Sequence, residues 1–262
     1  MEARMTGRDG GAPLVPQGNT PVVILVRPQL AENVGTAARA MANGGLFHMR
    51  LVAPRDGWPQ ERAWRTASGA DRILDAVQVY ETVDDAVADL HHVYATCPRP
   101  RHVIKPIMTA RGGAAELHAA TGRGLKVGLM FGPERAGLDT EDMARADGLI
   151  RYPLNPAFMS LNLAQAVMIM AYEWWMINDQ TDARELMTNE THIATKGELE
   201  NFMGHLISEL DECGFWRSEQ KRPGMVRNLR HFFTRGEVTE QELRTLHGVV
   251  RELANRRKTS EK

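Results

Sequence analysis

Three segments of the chain carry polar side chains that could bind a substrate or move a proton. The first is FGPERAGL (131–138), in which Glu134 lies between Gly132 and Gly137. The glycines permit close backbone approach or a positive φ, and ligands bind beyond the carboxyl ends of strands in an open α/β sheet. The plainer interpretation is a tight turn with an exposed Glu134–Arg135 pair, and an isolated Gly-Pro-Glu favours it.

The second segment, NPAFMSLNLAQAVMIMAYEWW (155–175), leads through an Asn-Pro pair into an apolar run long enough for a buried helix. Ser160 and Asn162 stand at the start of that run. Ser160 is a candidate helix N-cap, a role that stabilises by about 1 kcal/mol. Asn162 fits a purely structural role less well, because asparagine is a poor residue in a helix interior. We therefore expect these two side chains to serve a site as well as the helix.

The third segment is the helical pattern AENVGTAARAMANGG (31–45), which follows the strand-like run PVVILVR (21–27) and ends in a Gly-Gly stop. Arg39 stands among alanines on this helix, and Asn33 stands at its start. A lone arginine on a helix usually faces solvent, so Arg39 by itself is a weak indication of a site.

Strand-like and helical segments alternate through the first two thirds of the chain. Further strands are predicted at HMRLVA, AVQVY, HVYAT, LKVGLMF and GLIRYP, with helical segments between them, for example at 83–90 and 114–120. Strict alternation predicts a parallel α/β sheet over residues 21–178, with a disordered tail (1–20) before it and a polar linker (179–190) after it. Amphipathic segments then predict a small all-helical module over 191–262, where Thr239 and Glu242 have the spacing of a capping box.

The overall composition is that of an ordinary globular protein, with 43% apolar and 25% charged residues in a chain of 262. Polar residues interrupt the longest apolar run, so a membrane span is not predicted. The two cysteines, Cys97 and Cys213, lie far apart, which favours a reduced, cytoplasmic setting. The net charge is −1, but six basic residues against one acid between Arg217 and Arg235 form the footprint expected for phosphate contact.

Familiar site motifs of other enzyme classes are absent from the sequence. It has no P-loop, no nucleophile elbow and no HExxH motif. The glycines of GRGLKVG (122–128) precede a strand instead of following one, so a dinucleotide-binding fingerprint is not supported. His91 and His92 have neither a third ligand nor i,i+4 spacing, and no metal site is predicted.

Taken together, ENVGTAARAM (32–41), FGPERAGL (131–138) and NPAFMSLNLAQAV (155–167) resemble the three signature motifs of SPOUT-superfamily RNA 2′-O-ribose methyltransferases. The segment RPGMVRNLRHFFTRGEVTEQELRTLHGVV (222–250) resembles the module appended to bacterial tRNA methyltransferases that act on nucleotide 32 of the anticodon loop. The resemblance implies a parallel-sheet SPOUT fold with a C-terminal trefoil knot, followed by a helical RNA-binding module.

The same resemblance implies that S-adenosylmethionine binds in the loops of the knot and that its methyl group passes to a ribose 2′-hydroxyl. By position, the residues that would line the cofactor pocket are Thr96, Cys97, Pro98, Gly132, Tyr152, Met159, Ser160 and Leu161. The polar catalytic set would be Arg39, Glu134, Ser160 and Asn162, with Asn33 in support. Because an arginine almost never loses its proton in a protein, we expect Arg39 to grip the phosphate beside the target nucleotide. Glu134 would orient Arg39 or a neighbour of it.

The resemblance also implies partners. A homodimer is expected, with the helix at 161–175 as its seam; a helix wholly buried within one chain is the alternative. Arg222, Arg227 and Arg230 would contact the tRNA backbone, although a solvated helix face is the ordinary interpretation of Arg227 and Arg230 at i,i+3. Neither a membrane nor a metal is expected as a partner.

Three rival functions stay open on sequence grounds. The first keeps the chemistry and changes the substrate to ribosomal RNA or another tRNA site. The second is an RNA-binding protein without catalysis, which the presence of Arg39, Glu134, Ser160 and Asn162 disfavours. A nucleotide-dependent enzyme on the same class of sheet is third, because its fingerprint is missing.

Overall fold

The computed structural model describes residues 18–97, 104–183 and 190–260, and the chain divides into two compact units between Thr181 and Asp182. Most of the predicted tail and the predicted pocket residue Pro98 lie outside the described residues. The division falls within the stretch that the sequence predicts as a linker.

The first unit is built on one sheet of seven parallel strands, in the order β3-β2-β1-β6-β4-β7-β5. The strands are β1 Val22–Val26, β2 His48–Val52, β3 Gln78–Tyr80, β4 His92–Thr96, β5 Ile107–Thr109, β6 Val127–Phe131 and β7 Gly148–Arg151. The parallel α/β sheet predicted from the alternation is confirmed. The short edge strand β5 was not predicted, because it has no longer apolar run around it and leads directly into the helix that begins at Ala110.

Helices cover both faces of the sheet, which is why the central strands β1 and β6 carry no polar side chain. The helices of this unit are α1 Ala31–Asn43, α2 Glu61–Ala67, α3 Asp71–Asp75, α4 Val83–Val87, α5 Ala110–Gly122, α6 Thr140–Ala144 and α7 Leu163–Trp175. One face packs against α1, α2, α3, α5 and α7, and the other against α4 and α6. Successive residues of β1 point to opposite faces, so Leu25 joins the first core and Ile24 the second.

The strand register brings four strand ends to one edge of the sheet. Leu25 of β1 pairs with Phe131 of β6, and Thr96 of β4 pairs with Ile150 of β7. The loops after β1, β4, β6 and β7 therefore leave the sheet side by side, at the edge where an open α/β sheet binds ligands. The trefoil knot implied by the resemblance stays a prediction.

The second unit contains three described helices, α8 Lys196–Glu212, α9 Arg222–Thr234 and α10 Glu240–Ser260. Its small core is formed by Leu199, Phe202 and Met203 of α8 with Leu243 of α10. The predicted capping box is confirmed, because the Thr239 hydroxyl accepts from the Glu242 amide at 3.3 Å and the Glu242 carboxylate accepts from the Thr239 amide at 2.7 Å.

None of the described helices is long and apolar enough to span a membrane.

Close packing between α1 and α2 yields a stability prediction. A Cβ atom on Gly35 would lie 2.0 Å from the Ala63 carbonyl oxygen and 2.2 Å from the Thr66 hydroxyl oxygen. We expect Gly35→Ala to lower the free energy of unfolding of the first unit by about 1–3 kcal/mol or more, since overpacking forces the helices apart. Urea unfolding followed by circular dichroism measures this.

Gly112→Ala in α5 is the matched control, because its Cβ would meet nothing closer than 3.5 Å. It should leave the free energy of unfolding unchanged or raise it by up to about 1 kcal/mol through helix propensity. Equal effects of the two substitutions would contradict the close approach of α1 and α2.

Candidate active site

A cavity of about 720 Å³ opens at the edge of the sheet where the loops after β4, β6 and β7 meet the start of α7. Its volume falls within the range of small-molecule binding sites. Seven of the eight pocket residues predicted from the resemblance lie in its wall: Thr96, Cys97, Gly132, Tyr152, Met159, Ser160 and Leu161. Further apolar wall comes from side chains that the sequence analysis did not single out: Leu138, Met143, Leu154, Leu163 and Ala166.

The loop after β6 closes one side of the cavity and is a tight turn that only glycine allows at two positions. A Cβ on Gly132 would lie 2.2 Å from the Leu138 amide nitrogen, so the loop ends touch there. Gly137 has φ of 69°, and its amide donates to the Pro133 carbonyl at 2.8 Å. The roles expected of the two glycines, close approach and positive φ, are both present.

Glu134 points from this loop to the start of α1. Its carboxylate accepts hydrogen bonds from the Gln29 amide at 2.9 Å, the Leu30 amide at 3.3 Å and the Asn33 side-chain amide at 2.8 Å. Leu30 is the N-cap residue of α1 and its side chain makes no capping hydrogen bond. Glu134 therefore supplies from another segment the negative charge that a helix N-terminus favours. The exposed pair with Arg135 that the plainer interpretation expected is wrong.

Asn162 joins the same network from α7. Its side-chain oxygen accepts from the Ala164 amide at 2.8 Å, and its side-chain nitrogen donates to the Asn33 oxygen at 3.0 Å. The donor and acceptor roles in this network are determined at both ends, because the Glu134 carboxylate can only accept hydrogen bonds and the Ala164 backbone amide can only donate one. Glu134, Asn33 and Asn162 thus connect the three sequence motifs in one chain of hydrogen bonds.

The expectation that Ser160 caps the helix is wrong. The N-cap of α7 is Asn162, and Gln165 completes a capping box by accepting from the Asn162 amide at 2.9 Å. Asn162 is therefore not an interior helix residue, and the helix begins two residues later than the apolar run suggested. Among the described residues no side chain or backbone group hydrogen-bonds to the Ser160 hydroxyl, which is exposed in the cavity wall and available to a substrate.

Arg39 does not reach this cavity within its own chain. It lies six residues after Asn33 on α1, about 9 Å further along the helix axis. Its exposed guanidinium donates to the Ser68 hydroxyl at 3.2 Å. The sequence analysis expected Glu134 to orient Arg39 or a neighbour of it. In the structure Glu134 hydrogen-bonds to Asn33, on the same helix as Arg39, and not to Arg39 itself.

Sequence reasoning missed Arg27, which fixes the far end of the loop. Its guanidinium, at the end of β1, hydrogen-bonds to Asp139 at 2.9 Å and to Asp142. The hydrogen bond to Asp142, with the charges of both carboxylates, raises the pKa of Arg27. The two aspartates form the capping box of α6 immediately after the loop. The sequence does show an arginine directly after a strand and, much later, an Asp-x-x-Asp pair. It contains no pattern that indicates that these residues form ion pairs.

Tyr152 is a wall residue and not a proton acceptor. Its hydroxyl donates to the Ala166 carbonyl at 2.9 Å, and burial raises its pKa. The tyrosine thus holds the segment after β7 against α7 and remains protonated at neutral pH.

The three arginines predicted to bind RNA in the second unit differ in what they contact. Arg222 makes two hydrogen bonds to Asp211, at 2.8 and 2.7 Å, and Arg230 pairs with Glu200. Arg227 is exposed and faces solvent. Two of the three charges are thus partly neutralised within the unit.

No group of three or more His, Cys, Asp or Glu side chains that could hold a metal ion occurs in the part of the chain that the structure describes.

Because Glu134 accepts three hydrogen bonds, we expect the loss of its negative charge to destabilise the first unit. We expect Glu134→Gln to lower the free energy of unfolding by about 1–3 kcal/mol, because the new NH₂ group would face a donor and leave it unpaired. Hydrogen exchange should accelerate at the Gln29 and Leu30 amides. Glu141→Gln, at an exposed carboxylate of α6, is the control and should change neither quantity; equal exchange rates in both variants would contradict the network.

Comparison with known proteins places these motifs in a family. The model of the SpoU rRNA methylase family matches residues 20–172, and the model of the TrmJ C-terminal domain, a tRNA methyltransferase domain, matches residues 197–262. The first match alone spans more than half of the chain, and the two together span both structural units.

Individual relatives agree with both matches. The crystal structure of TrmJ from Z. mobilis ZM4 is 48% identical, with a TM-score of 0.79, and the match covers 90% of this chain and 99% of that one. The tRNA (cytidine/uridine/adenosine-2′-O-)-methyltransferase TrmJ of Pseudomonas aeruginosa is 34% identical, covering 88% of this chain and 92% of the relative. The tRNA (cytidine/uridine-2′-O-)-methyltransferase TrmJ of Escherichia coli is also 34% identical, covering 90% and 96%. The resemblance found in the three motifs is therefore confirmed, and the chain belongs to the SpoU methylase family and, within it, to the TrmJ methyltransferases.

Proposed function

We propose that this protein transfers a methyl group from S-adenosylmethionine to the ribose 2′-hydroxyl of nucleotide 32 in the anticodon loop of tRNA, as a homodimer in the cytoplasm. The observation that carries the proposal is the hydrogen-bond chain Glu134–Asn33–Asn162, which ends beside a cavity with an available serine hydroxyl. The relatives are named as tRNA 2′-O-methyltransferases, which supports the substrate. The choice of nucleotide 32 rests on the resemblance of the second unit.

The residues of the cavity fit S-adenosylmethionine. Apolar side chains such as Leu138, Leu154 and Leu161 provide the low-polarity wall that an adenine ring and a ribose need. The loop after β6 brings its backbone to the cavity wall, where N–H and C=O groups can pair with an adenine edge. When bound, the cofactor supplies a methyl group that its sulfonium already activates.

The protein must therefore align the ribose hydroxyl and assist the loss of its proton. Ser160 is positioned to hydrogen-bond to the incoming hydroxyl, and Asn162 holds the start of α7 beside it. Glu134 already accepts three hydrogen bonds and faces α1, so we assign it a positioning role and not that of a base. Holding the hydroxyl in line with the methyl group is the contribution these residues make.

The position of Arg39 supports the dimer. Arg39 lies outside the cavity of its own chain, on α1, and α1 packs directly against α7. Part of α7 stays uncovered, since Tyr172 and Trp175 are each 52% exposed; the alternative of a helix wholly buried in one chain is therefore wrong. We propose that α7 forms the dimer seam and that Arg39 serves the cavity of the second copy, where it grips the phosphate next to the target ribose.

The first experiment is methyl transfer from labelled S-adenosylmethionine to tRNA transcripts, with the product mapped by mass spectrometry of nuclease digests. A 2′-O-methyl group at nucleotide 32 supports the whole proposal, whereas methylation elsewhere removes the role given to the second unit. The SpoU family model carries an rRNA name, so ribosomal fragments belong in the same panel. Cofactor binding without any transfer would point to a missing RNA or partner. Absence of cofactor binding would overturn the assignment of the cavity and favour an RNA-binding protein that lacks catalysis.

The second experiment concerns Arg39 and tests the dimer directly. If Arg39 grips a phosphate, Arg39→Lys should retain measurable activity and Arg39→Ala should lose far more. If it serves the second copy, mixing Arg39→Ala with a cavity variant such as Ser160→Ala should restore about a quarter of wild-type activity, because half of the dimers then hold one complete site. A mixture as inactive as its parents would show that Arg39 acts within its own chain or that no dimer forms.

A further inference from the structure

Phe158 is the most exposed aromatic side chain among the described residues, at 73% of its surface. It lies in the segment between β7 and α7, whose neighbours Met159 and Ser160 line the cavity. A phenylalanine ring in water forgoes the free energy that its burial would supply. An exposed ring next to a ligand cavity therefore indicates a binding partner that covers it.

The exposure of Phe158 comes from a hydrogen-bonded turn. The Asn155 side-chain oxygen accepts from the Ala157 amide at 3.0 Å, and the Asn155 carbonyl accepts from the Phe158 amide at 2.9 Å. Pro156, at the second position of this turn, has the φ that the turn requires. The backbone that carries the ring is thus already ordered, which lowers the entropy lost when the ring binds a partner.

We propose that Phe158 is a stacking platform for the nucleobase of the nucleotide whose ribose is methylated, an inference that rests on the proposed function. Only Met159 separates Phe158 from Ser160, so the Cα atoms of these two residues lie within about 7 Å of one another. A ribose whose 2′-hydroxyl meets Ser160 carries its base at a similar distance. The ring therefore lies within reach of the base of a nucleotide whose ribose is bound at Ser160.

The surroundings of Phe158 favour a base over a second copy of the chain. The other exposed residues of its segment, Asn155, Pro156, Ala157 and Ser160, are small or polar, so this segment offers one large apolar side chain that is largely open to solvent. A contact between copies needs a continuous apolar surface, which α7 offers through its own exposed aromatic side chains. A single flat ring suits a single flat base, and stacking of this kind accepts every base because each has a π-face.

The test compares Phe158→Ala, Phe158→Leu and Phe158→Tyr on two RNAs, the intact substrate and one whose target nucleotide lacks its base. On the intact RNA, Phe158→Ala should lower kcat/KM about 5- to 150-fold, the range for loss of one base–aromatic stack. Tyr should retain activity, and Leu should lose most of it. On the abasic RNA, wild type and Phe158→Ala should differ by less than about twofold, since the base that the ring would hold is gone.

Two further measurements separate this role from a structural one. The affinity for S-adenosylmethionine and the oligomeric state by sedimentation should be the same in Phe158→Ala and wild type. Val79→Ala, at an exposed apolar residue of the edge strand β3, is the control and should change nothing.

An unchanged kcat/KM in Phe158→Ala, or a loss that persists on abasic RNA, would overturn the inference. Dissociation of the variant into monomers would overturn it too, by assigning the ring to a second copy. Absence of methyl transfer by the wild-type protein would instead remove the proposed function, so the two failures are distinguishable.

Discussion

The carboxylate of Glu134 is the interaction on which the rest of the site depends. It accepts hydrogen bonds from two backbone amides at the start of α1 and from the side chain of Asn33. The Asn33 oxygen in turn accepts a hydrogen bond from Asn162 at the start of α7. Hydrogen bonds to an ionised acceptor are the strong ones, and here they replace the side-chain cap that α1 lacks. One side chain thus determines how a loop and two helix starts lie relative to one another.

That arrangement is possible because a parallel sheet gathers its carboxyl ends at one edge. The register between β1, β6, β4 and β7 brings four loops together, although the residues that meet there are more than a hundred positions apart in the chain. Close packing then limits which residues can occupy the loops. Gly132 has no room for a side chain. Arg27 holds the end of the loop in place, because it hydrogen-bonds to the two aspartates that form the capping box of α6.

The site combines a preformed half with an incomplete one. The cavity is lined by segments of a single chain that hydrogen bonds hold in place, which reduces the entropy lost when a ligand binds. By contrast, Ser160 and Phe158 are exposed, and Arg39 binds Ser68 outside the cavity. Under the proposed function, the RNA and a second copy of the chain would cover these exposed groups.

The sequence by itself predicted most of the strands and proposed the residues of the site. Apolar periodicity predicted six of the seven strands, and three short motifs named Asn33, Glu134, Ser160 and Asn162 as site residues, because both signals are local along the chain. Only the tertiary structure decided which of them meet: Glu134 binds Asn33 and not Arg39, Asn162 caps α7 in place of Ser160, and Arg27 secures the loop. These outcomes depend on strand register, helix start points and hydrogen-bond direction across long sequence separations, and no local pattern of residues contains them.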